Sequence, residues 1–349
     1  MVKRGSSGLS LLLAIDKPKG LTSHDVVDRC RKVFGEKRVG HTGTLDPLAS
    51  GVLCIGVGPA TRLDAYLSGH DKTYMMDIAF GCATATDDAE GDVVASGDIP
   101  SEVFEESYAC TISASLKGAG KQLPPVYSAV KVGGQKSYAA ARAGNVIELK
   151  PRDFEVYEVT LERVFEASLN DLLERPLEED RTVPVWRVIM RVSGGTYMRS
   201  IARDLGKRFG CGAFVSELRR VALDSVSLDD CVTLEELEAD PQRSTLDPLR
   251  LLPMRYAFVR DPRIIAQIRN GNALSIDTLS LNVALSECTF DEYCCTTQVF
   301  PSADPCFDGE TVAVVVDNRI KALYKFDESR QRFCARCVFP VGVERGSNL

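Results

Sequence analysis

"VPVWRVIMRVSGGTYMRSIARDLGKRFG" occupies residues 183–210, and two periods meet in it. In the first half Trp186, Val188, Met190 and Val192 fall at every second position, the spacing of a strand with one buried face. The second half, "SIARDLGKRFG", reads as a helix that Gly210 stops. Between them, Tyr197 and Arg199 are two residues apart and face one side only if the chain stays extended. A shared side for the two would need the helix to begin later, with Ser200 as an acceptable N-cap.

Working outward, "KTYMMDIAFG" (72–81) alternates again, with Tyr74, Met76, Ile78 and Phe80 on one face. Residues 9–16 and "GVLCIGVG" (51–58) read as buried strands. "TSHDVVDRCRKVFG" (22–35) is an amphipathic helix that Thr22 or Ser23 can cap and Gly35 ends. "GCATATDDAEGDVV" (81–94) reads as a polar loop and residues 101–118 as a helix. Residues 122–145 combine a Pro-rich turn, a short strand and an Ala-rich helix. Strands and helices mix without the regular succession of a doubly wound sheet, so the expected class is α+β with a largely antiparallel sheet. From about residue 251 a helix, a hairpin around Asp317 and Asn318 and a last strand suggest a small, mostly β module. The expected domains are therefore 1–250 and 251–349.

The 349 residues are 44% hydrophobic and 26% charged, enough for two domains and a well-buried core. No stretch approaches the roughly 18–20 continuous apolar residues of a membrane span. "LSLLLAI" near the N-terminus follows Lys3 and Arg4 as a signal peptide would, but Asp16 and Lys17 cut it short. The expected location is the cytoplasm. The 12 cysteines then read as reduced thiols. "CARC" (334–337) has a spacing that can seat zinc, but a second ligand pair is offered only by Cys294 and Cys295 with Cys306, and free cysteines are the expectation. Net charge is −7, unevenly spread. Residues 117–152 carry seven Lys/Arg against one acid, and residues 197–222 six against two. Residues 153–180 hold ten Asp/Glu against two Arg, so a separate phosphate-binding face is compatible with the acidic total.

"GHTGTLDPLASG" (40–51) sets Asp46 before a proline. Asp is a preferred N-cap and Pro a preferred first helical residue, so a short capped helical turn is one reading and chemistry the other. Taken with "AIDKPKGLTSHD", "DKTY", "GCATATDDAEG", "PPVYSAVKVGGQKSYAAARAG", "VSGGTYMRSIARDLG" and "GCGAFVSELRRVA", in this order over most of residues 9–225, the motif closely resembles the TruB-type tRNA pseudouridine synthases. Residues 251–349 resemble, more loosely, a PUA-like RNA-binding module.

The resemblance implies a pseudouridine synthase catalytic domain that isomerises uridine to pseudouridine in the T-loop of tRNA, at the position numbered 55. The N1–C1′ bond breaks, the uracil turns and C5 rejoins the sugar, with no cofactor and no metal. Asp46 takes the place of the catalytic aspartate, and Arg199 that of a guanidinium favouring its ionised form. Tyr74 would stack on the uracil and move a proton at C5; Tyr197 and Leu218 would line the same pocket. His41 would fill the stack vacated by the flipped nucleotide, and Lys17 would be a structural or phosphate contact. Residues 117–152 resemble the part that closes over the T-loop, which reads RNA shape as well as sequence. The expected partner is the tRNA T-stem-loop, with no membrane and no guide RNA, and the chain acting as a monomer.

Two stretches depart from the family pattern: the acidic connection 166–183 and the Cys-rich run 286–310. Competing readings are a guide-RNA-dependent relative acting on ribosomal RNA, a non-catalytic RNA-binding or RNA-folding protein, and a glycosidase. The last lacks a motif-placed pair of carboxylates.

Overall fold

The computed structural model describes residues 7–128, 131–132, 135–136, 149–241, 245–287 and 300–346. The chain divides into two compact units. The first holds residues 1–46, 51–68 and 224–349; the second holds 47–50 and 69–223.

The first unit opens with strand β1 (Leu11–Lys17) and helix α1 (Ser23–Phe34), followed by β2 (Val39–Thr42) and β3 (Ser50–Val57). β1 and β2 both run antiparallel to β3, and β1 takes short partners at 231–232 and 245–246. Thr22 caps α1 in a reciprocal box with Asp25, and Gly35 closes it at φ +59°. No helix starts at Asp46: residues 44–49 are extended or bent. The capped-turn reading is therefore overturned. Backbone and side-chain bonds elsewhere hold this segment, as described below.

The second unit is built on β4 (Lys72–Phe80), the small β5–β6 hairpin (Cys82–Thr84, Val93–Ser96), α2 (Glu106–Ala114), β7 (Gly118–Gln122), β8 (Arg152–Ser168), β9 (Thr182–Val192), α3 (Met198–Phe209) and β10 (Ala213–Leu223). Its strands lie in the order β10–β4–β9–β8–β7, every neighbour antiparallel. The alternation in β4 and β9 comes out as expected. Met76, Ile78, Phe80, Trp186, Val188, Met190 and Val192 are all fully buried. Trp186 packs 4.7 Å from Phe80 between ring centroids and donates its indole N–H to Val103 O at 2.8 Å.

Three local expectations are corrected here. The stretch at 81–94 is not simply a loop, because its Thr and Val residues pair as β5–β6 around a turn that closes on its own side chains. β7 was not anticipated, since "GAGKQ" has little strand propensity; its register with β8 supplies the order instead. And α3 begins at Met198, with Tyr197 as N-cap, so Arg199 lies inside the helix and Ser200 is not its cap. The connection 166–183 continues β8, makes one helical turn at Leu169–Leu172 and is gathered by Asp180, which accepts from Ser168 Oγ (2.7 Å) and Asn170 N (3.0 Å). The Ala-rich helix expected within 137–145 falls outside the described residues.

The remainder of the first unit carries a five-stranded sheet. It comprises β11 (Tyr256–Phe258), α4 (Pro262–Arg269), β12 (Leu274–Ser275), β13 (Thr311–Val316), β14 (Arg319–Asp327) and β15 (Arg332–Glu344), in the order β11–β13–β14–β15–β12. Val312, Val314, Tyr324, Phe326 and Phe333 centre its core. The hairpin tip is Asp317–Asn318, both with positive φ (+49° and +54°), as a tight two-residue turn requires. The mixed, largely antiparallel α+β character expected of the chain holds in both units.

Candidate active site

Of the expected site residues, Lys17, His41 and Asp46 belong to the first unit, and Tyr74, Tyr197, Arg199 and Leu218 to the second. In the first unit, Ser23 does something its sequence context did not disclose. Its buried hydroxyl accepts from Leu45 N at 2.8 Å and donates to Leu45 O at 2.9 Å. The residue before Asp46 is thus tied through both backbone groups to the first turn of α1. Gly43, at φ +77°, makes the preceding bend. Asp46 itself is half-buried. His41 is half-buried on β2, opposite Ile55. Lys17 is fully buried and donates to Pro18 O (2.9 Å) and Leu21 O (2.6 Å), fastening the turn from β1 into α1.

In the second unit Tyr74 is buried at 6% exposure, with Met190 of β9 on one side and Arg220 of β10 on the other. Leu218 is opposite Met76, so it shares Tyr74's sheet face one row along. Arg220 is fully buried; it was not singled out from sequence, although its place two residues after Leu218 puts it on the same face.

Arg199 is the hub of this unit. Its Nη1 donates to Thr86 O (2.9 Å) and Asp88 Oδ2 (3.2 Å), and its Nη2 to Tyr127 O (2.9 Å). Asp88 is almost fully buried and also accepts from Glu90 N at 3.1 Å and from the Thr86 hydroxyl. One helical turn on, Arg203 pairs with Asp87 at 3.3 Å and donates to Leu123 O at 2.8 Å. Burial pushes the Asp87 carboxyl up, against the pull of Arg203 and Arg199. Ser200 Oγ adds a bond to Leu123 O (2.8 Å), and Tyr197 N one to Gln122 Oε1 (3.2 Å). The β5–β6 hairpin and the strap 122–127 are therefore both hung on the first two turns of α3. This explains the helical placement of Arg199: only from within the helix do residues i and i+4 reach the adjacent carboxylates Asp87 and Asp88. The paired aspartates in "TDDAE" and the four-residue spacing of Arg199 and Arg203 were the available signal.

The opposite face of the sheet carries a structural ion pair, Arg187 to Asp77, made through two bonds of 2.6 Å. Among the described residues no cluster of His, Cys, Asp and Glu could hold a metal ion. Cys334 and Cys337 lie on β15, while Cys294 and Cys295 fall outside the described residues.

The model of the TruB family pseudouridylate synthase N-terminal domain matches residues 31–198, and that of the tRNA pseudouridylate synthase B C-terminal domain matches residues 199–259. A protein of Geobacillus thermodenitrificans, tRNA pseudouridine synthase B, is 40% identical over 271 residues, covering 76% of this chain and 85% of that protein. Its namesake in Mycobacterium leprae is 40% identical over 285 residues, covering 79% of this chain and 85% of that protein. A solved H/ACA ribonucleoprotein bound to a substrate RNA containing 2′-deoxyuridine superposes with a TM-score of 0.60, covering 95% of this chain and 85% of that one. At 20% identity that likeness is one of fold.

Proposed function

Because the chain belongs to the TruB family of pseudouridylate synthases, we propose that it isomerises uridine to pseudouridine in the T-loop of tRNA, at position 55, with Asp46 as the reacting carboxylate. The observation that carries this reading is the setting of Asp46. The Asp-Pro pair invites a helix cap, yet no helix follows it, and Ser23 fastens the neighbouring residue instead. A side chain held in place by its neighbours' backbone, with the capping task removed, is what chemistry at a sugar carbon asks of a carboxylate.

In this reading the glycosidic N1–C1′ bond of the uridine breaks with Asp46 acting at the sugar. The uracil turns, C5 bonds to C1′, and the C5 proton is exchanged for one on N1, so atoms balance within the nucleotide. Tyr74 stacks on the uracil and serves the proton movement at C5; Tyr197 and Leu218 complete the base pocket. Arg199, held by Asp88, is assigned the role of the guanidinium partner of the reacting carboxylate. His41 takes the stacking position left by the flipped base. Lys17 acts structurally, by the two carbonyls it binds. The strap at 122–127 and the basic stretch that continues from it grip the T-loop, and residues 251–349 act as a PUA-like second RNA-binding module. No cofactor, metal or guide RNA takes part, and the protein works as a cytoplasmic monomer.

The test is an isomerisation assay with purified protein, unmodified tRNA transcript and EDTA, comparing wild type with Asp46→Asn. Pseudouridine at the T-loop position from wild type alone is the expected result. TRNA binding without product from either protein would favour a non-catalytic RNA-binding role, and equal product from both would remove Asp46 from the chemistry.

A further inference from the structure

Beside the first turns of α3, the second unit encloses a half-open cleft of about 210 Å³ that the chemistry above does not use. One wall is the helix face of Ile201 and Leu205; the other is the edge strand β7 with β8. Phe154 takes its place in the cleft wall because of a side chain β7 lacks. Gly118 and Gly120 lie opposite Val156 and Phe154 of β8, and a Cβ on Gly120 would sit 2.9 Å from the Phe154 ring. Gly120 has no positive φ, so its glycine leaves room for the ring rather than bending the strand.

At the end of β7, Gln122 is 3% exposed and lines the cleft. The N–H of Tyr197 must meet the carbonyl oxygen of this amide, which fixes the orientation and leaves Nε2 as a donor. That Nε2 is buried and has no hydrogen-bond partner among the described residues, a state that buried donors seldom keep. The rim is basic. Arg208 is exposed with no ion pair among the described residues, and exposed Lys121 has only the solvent-exposed Asp153 at 3.5 Å. Asp204, the acid on the rim, already pairs with Arg203 at 2.9 Å.

An aromatic ring, an unfilled amide donor and two exposed cations at the mouth, one of them in a solvent-exposed pair, match a nucleotide, and the volume lies below that of drug-sized sites, enough for one planar base. We propose that this cleft is a second nucleotide subsite. It takes one carbonyl-bearing base of the bound RNA, other than the uridine that reacts, stacked on Phe154 with its carbonyl on Gln122 Nε2 and its phosphate beside Arg208 and Lys121. The proposal rests on the reading of the protein as an RNA-modifying enzyme. It also links RNA grip to the site, since the same amide that receives the base holds Tyr197 N.

Two variants test it away from the candidate active site: Leu116→Trp fills the cleft from its half-buried edge, and Arg208→Glu reverses the rim charge. For each, the Kd of unmodified tRNA transcript, the KM and kcat of pseudouridine formation and the melting temperature are measured. The expected result is a Kd and KM raised roughly fivefold or more with kcat and melting temperature unchanged. Wild-type Kd and KM in Arg208→Glu, whose exposed side chain leaves the fold intact, would overturn the proposal even if the tryptophan proved destabilising. So would uridine 5′-monophosphate saturating the cleft, seen by amide shifts at residues 116–122, while both variants keep the wild-type KM for tRNA: that would mark a site for free nucleotides. Absence of pseudouridine from wild type in the same assay would instead strike the functional reading.

Discussion

In the proposed reading, Asp88 serves the reaction only through the guanidinium it holds. It neutralises Arg199 in a pocket where both are nearly enclosed, at 3.2 Å, and it anchors the hairpin turn through Thr86 and Glu90. Replacing it by Asn keeps the shape and removes the charge, so Arg199 loses its bearing more than its place. The expected outcome for Asp88→Asn is kcat lowered by roughly 10- to 100-fold with tRNA Kd little changed, read by single-turnover and binding assays. Glu36 offers a pH-dependent counterpart. Burial raises its carboxyl, but the N–H groups of Arg38 and Ser7 outweigh that and hold it below the ordinary glutamate value. A lowered folded-state value gives stability that is present above the unfolded value and lost as pH falls through the folded one. Glu36→Gln is therefore expected to lower stability by about 1 kcal/mol at neutral pH, the difference from wild type closing in paired melting curves as the pH falls through the lowered folded-state value. Asp46, Tyr74 and Arg199 were singled out from the sequence as candidates because they sit in contiguous motifs. Asp88, Ser23 and Gln122 were not, because each acts on a residue distant in the chain and nothing in its own neighbourhood announces the partner.

Among the elements, α3 carries the most consequences. Gly206 faces β10 so closely that a Cβ would lie 2.1 Å from Ala213 N, a contact with backbone that cannot yield. Gly206→Ala is expected to cost about 2–4 kcal/mol, read as a lower melting temperature. The β13–β14 hairpin points the other way. Its second turn residue, Asn318, holds φ +54°, and a type I′ turn favours glycine there. Asn318→Gly is expected to stabilise the first unit by roughly 0.5 kcal/mol, checked by denaturant midpoint. Strands β4 and β9 and helix α1 followed from periodicity and capping, since their stabilising contacts repeat along the chain. The start of α3 did not: the turn at Gly194–Gly195 and the acceptors around Arg199 decide it, and these override the local preference of Ser200 for a cap. β7 is the clearer case, a glycine-rich strand that exists because β8 gives it a register.

Over the whole molecule, the net charge of −7 hides where the positive charge lies. Both basic stretches, 117–152 and 197–222, fall within the second unit, as does the acidic run 153–180, much of it on the exposed side of β8. RNA binding through that unit should be electrostatic in spite of the acidic total. The affinity for tRNA is expected to fall roughly tenfold or more between 50 and 200 mM salt, and a flat titration would count against a phosphate-binding face. The domain order expected from composition, one region after another, did not foresee that residues 69–223 are inserted within a unit whose halves lie on either side. Nothing local marks such an insertion, because the pairing of β1 with residues 231–232 and 245–246 is a long-range fact.

That interleaving has a consequence in time. On the ribosome the second unit is complete once residue 223 has emerged, but β1, "LLLAIDK", gains its outer partners only with residues 231–246. Glu344 N closes on Ser10 O at 2.8 Å later still. At roughly 5–20 residues per second, one edge of that apolar strand waits on the order of 10–50 s for its neighbours. The unit that starts first finishes last, and its leading strand is where a chaperone would find the nascent chain open.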